Sequence, residues 1–278
     1  MGHGVSVTIL VDNNRSLDHL HAEHGFSAWI ETGGKSILFD TGQSDLFLEN
    51  AKNLEMDIER ADMLILSHGH YDHTGGISSF LRRNRTCEVY CHPEVFIPRY
   101  SRKPDGSSKH IGISEETGLA LHEIIDRIHW VNTPMFISQD VGITGPIPRV
   151  CSFEDTGGDF FLDPQSSHPD PISDDVAMWV NTSQGLVIIT GCCHSGVVNT
   201  IDYTRKISGR DTIHGILGGL HLLHASTDRL EKTARNPAMI SCRDIIPCHC
   251  TGDEPVSYLR SALGEKVVPG EVGMRYGA

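Results

Sequence analysis

Short apolar runs separated by glycine-containing turns set the pattern of this chain. VSVTILV (Val5 to Val11) predicts a first strand, and SAWIETGGKSILFD predicts a hairpin turning at Thr32-Gly33-Gly34. ADMLILS (Ala61 to Ser67) is an apolar run of strand length, and Gly75-Gly76 precedes the helix-like ISSFLRR. A second hairpin pattern follows in MWVNTSQGLVIITG, where Trp179-Val180-Asn181-Thr182 matches Trp29-Ile30-Glu31-Thr32 and implies a duplicated β-rich half. Beyond it, strand-like GILGG, a charged helix around TDRLEKTARN, strand-like DIIPC and a helix over DEPVSYLRSAL alternate, as in layered sheets with helices outside. The stretch from Ile97 to Asp174 carries little periodicity and is expected to be an irregular insertion at the mouth of a site.

Composition narrows the classes. At 278 residues, 38% hydrophobic and 6% aromatic, the chain can bury a substantial core, and without a proline- or serine-rich linker residues 1–278 are expected to form one domain. A net charge of −13 opposes broad capture of nucleic acid or of anionic membrane surfaces. No apolar stretch reaches the roughly 18 residues of a membrane span, and the N-terminus lacks a basic-then-apolar signal, so a cytoplasmic location is expected. The eight cysteines include Cys192, Cys193, Cys248 and Cys250 beside histidines, which reads as reduced thiols rather than disulfides.

Chemistry concentrates in SHGHYDHTGG, residues 67 to 76, between the apolar run and the helix. In extended chain His68 and His70 point the same way, while Asp72 and His73 follow as the chain turns. Such a loop suits two adjacent metal ions, with His68 and His70 on one and Asp72 and His73 on the other. Imidazoles and a carboxylate favour zinc, with iron or manganese as substitutes.

An H-x-H-x-D-H motif after an apolar strand resembles the metallo-β-lactamase superfamily. That resemblance implies a four-layer αββα sandwich with its metal site along one edge. ILFDTG (Ile37 to Gly42) looks like the family's first motif, which implies that Asp40 supports the metal loop without touching metal. AEHGFS, LFDTGQS, LSHGHYDHTGG, TGPIPR, TGCCHSG, GGLHL and CHCTG, in this order, are similar to a subgroup around the archaeal synthase that couples a dihydropterin to a ribofuranosyl-aminobenzene phosphate. The same resemblance puts Glu23 and His24 at the pocket. Two departures stand out: no HTPGHT-like motif is found, and Thr190-Gly191-Cys192-Cys193-His194 stands where the family's bridging aspartate follows a strand as TGD.

Three more apolar runs end in histidine, at His194, His221 and His249. His194 is expected to complete the first metal position and His249 the second. His221, counted among the catalytic candidates with Asp72, is left open between ligand, substrate contact and backbone-held histidine, and His224 reads as structural. If His249 faces the site along its strand, Cys248 and Cys250 face away from it. RYSRKPDGSSKH supplies Arg99, Arg102, Lys103 and Lys109 as a clamp for a substrate anion, against the alternative of a solvated loop. The expected function is metal-dependent chemistry on a small anionic, phosphorylated substrate, as condensation or as hydrolysis of a phosphodiester, lactone or thioester. A metal-holding binder or sensor is the alternative from another class.

Overall fold

The computed structural model describes residues 4–278. A seven-stranded sheet runs from edge to edge through Arg275–Gly277, Val5–Val11, Ser27–Thr32, Lys35–Phe39, Met63–Ile65, Glu88–Cys91 and Ile128–Trp130. A six-stranded sheet runs through Asp244–Cys248, Ile213–Gly219, Gly185–Thr190, Ala177–Thr182, Val141–Ile143 and Met135–Phe136. Phe160–Phe161, Tyr100–Arg102 and Ser108–His110 form a small third sheet.

Side-chain alternation explains the layering. Along Ala177–Thr182, Met178 and Val180 enter the apolar layer between the two large sheets, while Ala177 and Trp179 face the helices beyond. Ala28 and Ile30 likewise enter the central layer, and Trp29 faces the opposite helices. One helical layer includes Leu46–Asn53 and Ile77–Arg83, which bury Phe47 and Phe80. The other includes Val197–Ser208 and Asp253–Leu263, which bury Ile201 and Leu259. Three apolar layers between four layers of elements make the αββα sandwich expected above. Each fully buried large apolar side chain adds about 1.5–3 kcal/mol by leaving water.

The matched hairpins occupy equivalent places in the two sheets, and each presents its tryptophan outward to helices. Gly33 and Gly34, at φ +58° and +74°, make the first turn, where two successive positive φ values suit a two-residue hairpin. Residues 97–174 are not uniformly irregular. They contain a helix at Glu115–His122 and supply Ile128–Trp130, Met135–Phe136 and Val141–Ile143 to the large sheets. These pieces are too short to carry a periodic signal, so hydrogen bonding to longer neighbours decides their state. Among the described residues no helix is long and apolar enough to cross a membrane.

Candidate metal centre

Parallel pairing places the functional residues. Lys35–Phe39 runs parallel to Met63–Ile65, and Gly185–Thr190, Ile213–Gly219 and Asp244–Cys248 are mutually parallel. The carboxyl ends of these strands lead into Asp40, His68, Cys192, His221 and His249, so one edge of the sandwich gathers them. Seven described residues other than glycine have positive φ, and four belong here: Asp40, Cys193, His221 and His249. Strained backbone of this kind persists where the surroundings over-determine it, commonly at functional sites.

Hydrogen bonds set the tautomers. Ser67 donates its hydroxyl to Asp40 Oδ2 at 2.6 Å, so Ser67 Oγ accepts from Nδ1 of His68 at 2.9 Å and His68 Nε2 is left bare. His194 donates Nδ1–H to the carbonyl of Thr156 at 2.9 Å, which also leaves Nε2 bare. The Nε2 atoms of His68, His70 and His194 are buried without a protein partner. The three rings lie with centroids 4.5 to 4.9 Å apart. Burial holds all three imidazoles well below their ordinary pKa, hence neutral.

A second group surrounds Asp72. His249 donates Nδ1–H to Asn13 Oδ1 at 2.8 Å, and its Nε2 faces Asp72 Oδ2 at 3.3 Å. Burial keeps His249 below its ordinary pKa, so a bare nitrogen confronts a carboxylate oxygen, an arrangement that a cation between them relieves. His24 Nε2 lies 3.0 Å from the same oxygen. Burial opposes ionisation of Asp72, but hydrogen bonding from His24 and the charge of His73 act against it, and the carboxyl stays well below its usual range. His73 bonds Asp40 Oδ2 through Nδ1 at 2.7 Å, and its Nε2 lies 3.1 Å from Cys192 Sγ. Burial works against a charged His73, yet Asp40 prevails and raises its pKa to about 9. His73 therefore loses its Nε2 proton when it serves as a ligand.

The residues present fit a divalent metal. Ligand atoms of His68, Cys192 and His194, of His73, Cys192 and His249, and of His24, Asp72 and His249 form sets lying within 4.8 Å of one another. Bare imidazoles with a carboxylate and a thiol suit zinc or iron better than magnesium or calcium. Asp40 bonds the loop through Ser67 N at 2.7 Å as well as through His73.

A cavity of about 390 Å³ opens beside these groups, lined by His24, His70, Asp72, His221 and His249. His221 borders it with Nδ1 buried and unpartnered, its ring centroid 4.1 Å from that of His194. His224, read as structural, also lines the cavity. Of the basic stretch, Arg102 and Lys109 reach the lining, while Lys103 lies on the exposed turn of the Tyr100–His110 hairpin, outside it. Lys109 Nζ bonds Tyr71 Oη at 2.9 Å, and Arg102 lies over the Phe161 ring.

Several expectations need correction. Arg99 is no clamp: fully buried, it pairs through both terminal nitrogens with Asp174 at 2.8 and 2.6 Å and through Nε with Asp170 at 3.0 Å. A guanidinium enters the interior only when so paired. Asp174 in turn accepts from Gly69 N at 2.7 Å, which makes Arg99 a support of the metal loop. Glu23 does not line the cavity; its carboxylate ties down Gln43 N, Ser44 N and Ser44 Oγ. Cys250 does line it, because the chain leaves its strand at Cys248 and turns through His249, φ +47°, so strand alternation no longer applies. Cys248 packs in the central core as expected. All eight cysteines are free. The sequence reading missed Cys192 and Asn13; the signal for Cys192 was its place where the family's TGD aspartate falls.

The model of a family described as the metallo-beta-lactamase superfamily matches residues 22–205. An uncharacterized protein of Methanocaldococcus jannaschii is 33% identical over 256 residues, 91% of this chain and 93% of that one. The 7,8-dihydropterin-6-methyl-4-(beta-D-ribofuranosyl)-aminobenzene-5'-phosphate synthase of the same organism is 29% identical over 245 residues, 83% of this chain and 82% of the synthase. Tm1679, described as a metal-dependent hydrolase of the beta-lactamase superfamily, superposes with a TM-score of 0.81 at 27% identity, covering 98% of each chain.

Proposed function

Because the chain belongs to the metallo-β-lactamase superfamily, we propose that it is a metal-dependent enzyme acting on a small anionic, phosphorylated substrate, in the manner of its dihydropterin-linked relative. One observation carries this reading. Bare, buried Nε2 atoms of His68, His70 and His194 stand beside Asp72 and His249, next to a cavity whose lining includes Arg102 and Lys109.

His68, His70 and His194 would hold one divalent ion, and Asp72, His73 and His249 a second. Zinc bound there supplies Lewis acidity that acidifies water and polarises a substrate oxygen. The chain's own residues do the rest. Asp40 fixes the tautomer of His73 and, through Ser67, that of His68. Asp72 is ionised, and the half-exposed His24 beside it helps hold its carboxylate in place at the cavity. Arg102 and Lys109 grip the phosphate away from the reacting centre, and Phe160 with Tyr71 shields one wall from water. His221 contacts the substrate rather than the first ion.

Within this reading, condensation of a dihydropterin with a phosphorylated arylamine riboside competes with hydrolysis of a phosphodiester, lactone or thioester. The presence of Cys192 where the family has its bridging aspartate favours a second reading, a metal-dependent binder or sensor. Turnover of these four substrate classes is measured with the protein stripped of metal and then reloaded with zinc or manganese. Turnover of one class that depends on reloading is expected; full metal loading with no turnover of any class would shift the assignment to the binder.

A further inference from the structure

Four buried cysteines lie at or just beyond strand ends near the metal centre, and they divide into two kinds. Cys193 Sγ bonds Thr200 Oγ1 at 3.2 Å, and Cys248 Sγ bonds the Ile246 carbonyl at 3.4 Å, each packed in an apolar cluster as a small hydrophobe. Cys192 and Cys250 instead line the cavity. Cys192 Sγ is common to three sets of ligand atoms: with His68 and His194, with His73 and His249, and with His221 and Cys250.

We propose that the sulfur of Cys192 is a metal ligand shared by the two positions, standing where a carboxylate would bridge them, with Cys250 and His221 behind it. The inference rests on the proposed metal dependence and adds the identity of the bridging atom and a preference among metals. Local packing supports it. Gly191 lets the end of its strand press on the ligand supports, since a Cβ there would lie 2.0 Å from Ser67 Oγ and 2.8 Å from Asp40 Oδ2. Gly219 does the same on the other side, where a Cβ would lie 2.4 Å from the Gly191 carbonyl oxygen and 2.6 Å from Cys250 Sγ. The buried, unpartnered Nε2 atoms of His68 and His194 belong with this sulfur rather than with any protein donor. A thiolate at the junction favours zinc or ferrous iron over manganese or magnesium, the opposite bias from a carboxylate.

The test replaces the native metal of the full chain with Co²⁺ and records absorption beside metal stoichiometry. Wild type is expected to show a sulfur-to-cobalt charge-transfer band in the near ultraviolet, retained in Cys250→Ser. Cys192→Ser should lose the band, and Cys192→Asp should lose it while keeping the ligand-field bands, the stoichiometry and the fold seen by circular dichroism. Zinc should also outcompete manganese by a wider margin in wild type than in Cys192→Asp. Stoichiometric cobalt without a charge-transfer band in wild type, or a band that survives both Cys192 variants, overturns the sulfur ligand and leaves the metal-dependent reading standing. Failure of wild type to bind any divalent ion overturns both.

Discussion

Asp40 Oδ2 and His73 Nδ1 lie 2.7 Å apart, with both side chains wholly removed from solvent. Asp40 has φ +55°, a conformation that asparagine adopts more readily than alanine. Asp40→Asn therefore removes the charge with little backbone penalty. Metal affinity, measured by competition with a chromogenic chelator, is expected to fall by about 10- to 100-fold while the apo protein still unfolds cooperatively. Unchanged affinity would mean that the carboxylate does not tune the ligand.

Arg99 gives the reverse kind of prediction. Arg99→Met would leave Asp170 and Asp174 buried without their cation. A loss of about 3–5 kcal/mol in urea unfolding is expected, as for removal of one partner of a buried pair. Since Asp174 also holds Gly69 N, metal retention should weaken in the same variant. A stability change within experimental error would refute the pairing as a structural element.

Arg102 and Lys109 line the cavity and Lys103 does not. Arg102→Gln with Lys109→Gln should chiefly raise KM for a phosphorylated substrate, leaving an uncharged analogue nearly unaffected, and Lys103→Gln should match wild type. Equal losses for charged and uncharged substrates would assign the hairpin a structural role.

Stability at high pH should depend on Cys87 and Cys91, which belong to none of the ligand sets. Burial raises the Cys87 and Cys91 thiols from 9.0 to about 12. A raised pKa means that the unfolded chain releases its protons first, so the stabilisation is complete below pH 9 and lost as pH climbs toward 12. Each thiol adds a slope of up to about 1.4 kcal/mol per pH unit in that window. Cys91→Val should flatten the alkaline limb of unfolding free energy against pH; an unaltered limb would show that this thiol does not control it.

The sequence alone determined the parts of this protein that depend on near neighbours. Short apolar runs bounded by turn residues marked Val5–Val11, both hairpins and the strands leading to His221 and His249, because a strand buried on both faces needs apolar side chains whatever lies far away. Spacing within residues 67 to 76 likewise marked a cluster of candidate ligands, since His68, His70, Asp72 and His73 are brought together by one loop and one turn of helix. Tertiary structure decided what depends on distant segments. Arg99 looked like a free cation until Asp174, 75 residues on, met it in the interior. Cys192 looked like one more reduced thiol until the packing of two sheets set it between His73 and Cys250, and Cys250 turned inward because His249 takes a left-handed backbone that no local pattern signals. Local periodicity fixes which face a side chain takes within its own strand; only the packing of sheet on sheet decides which strand ends meet and which charges are buried together.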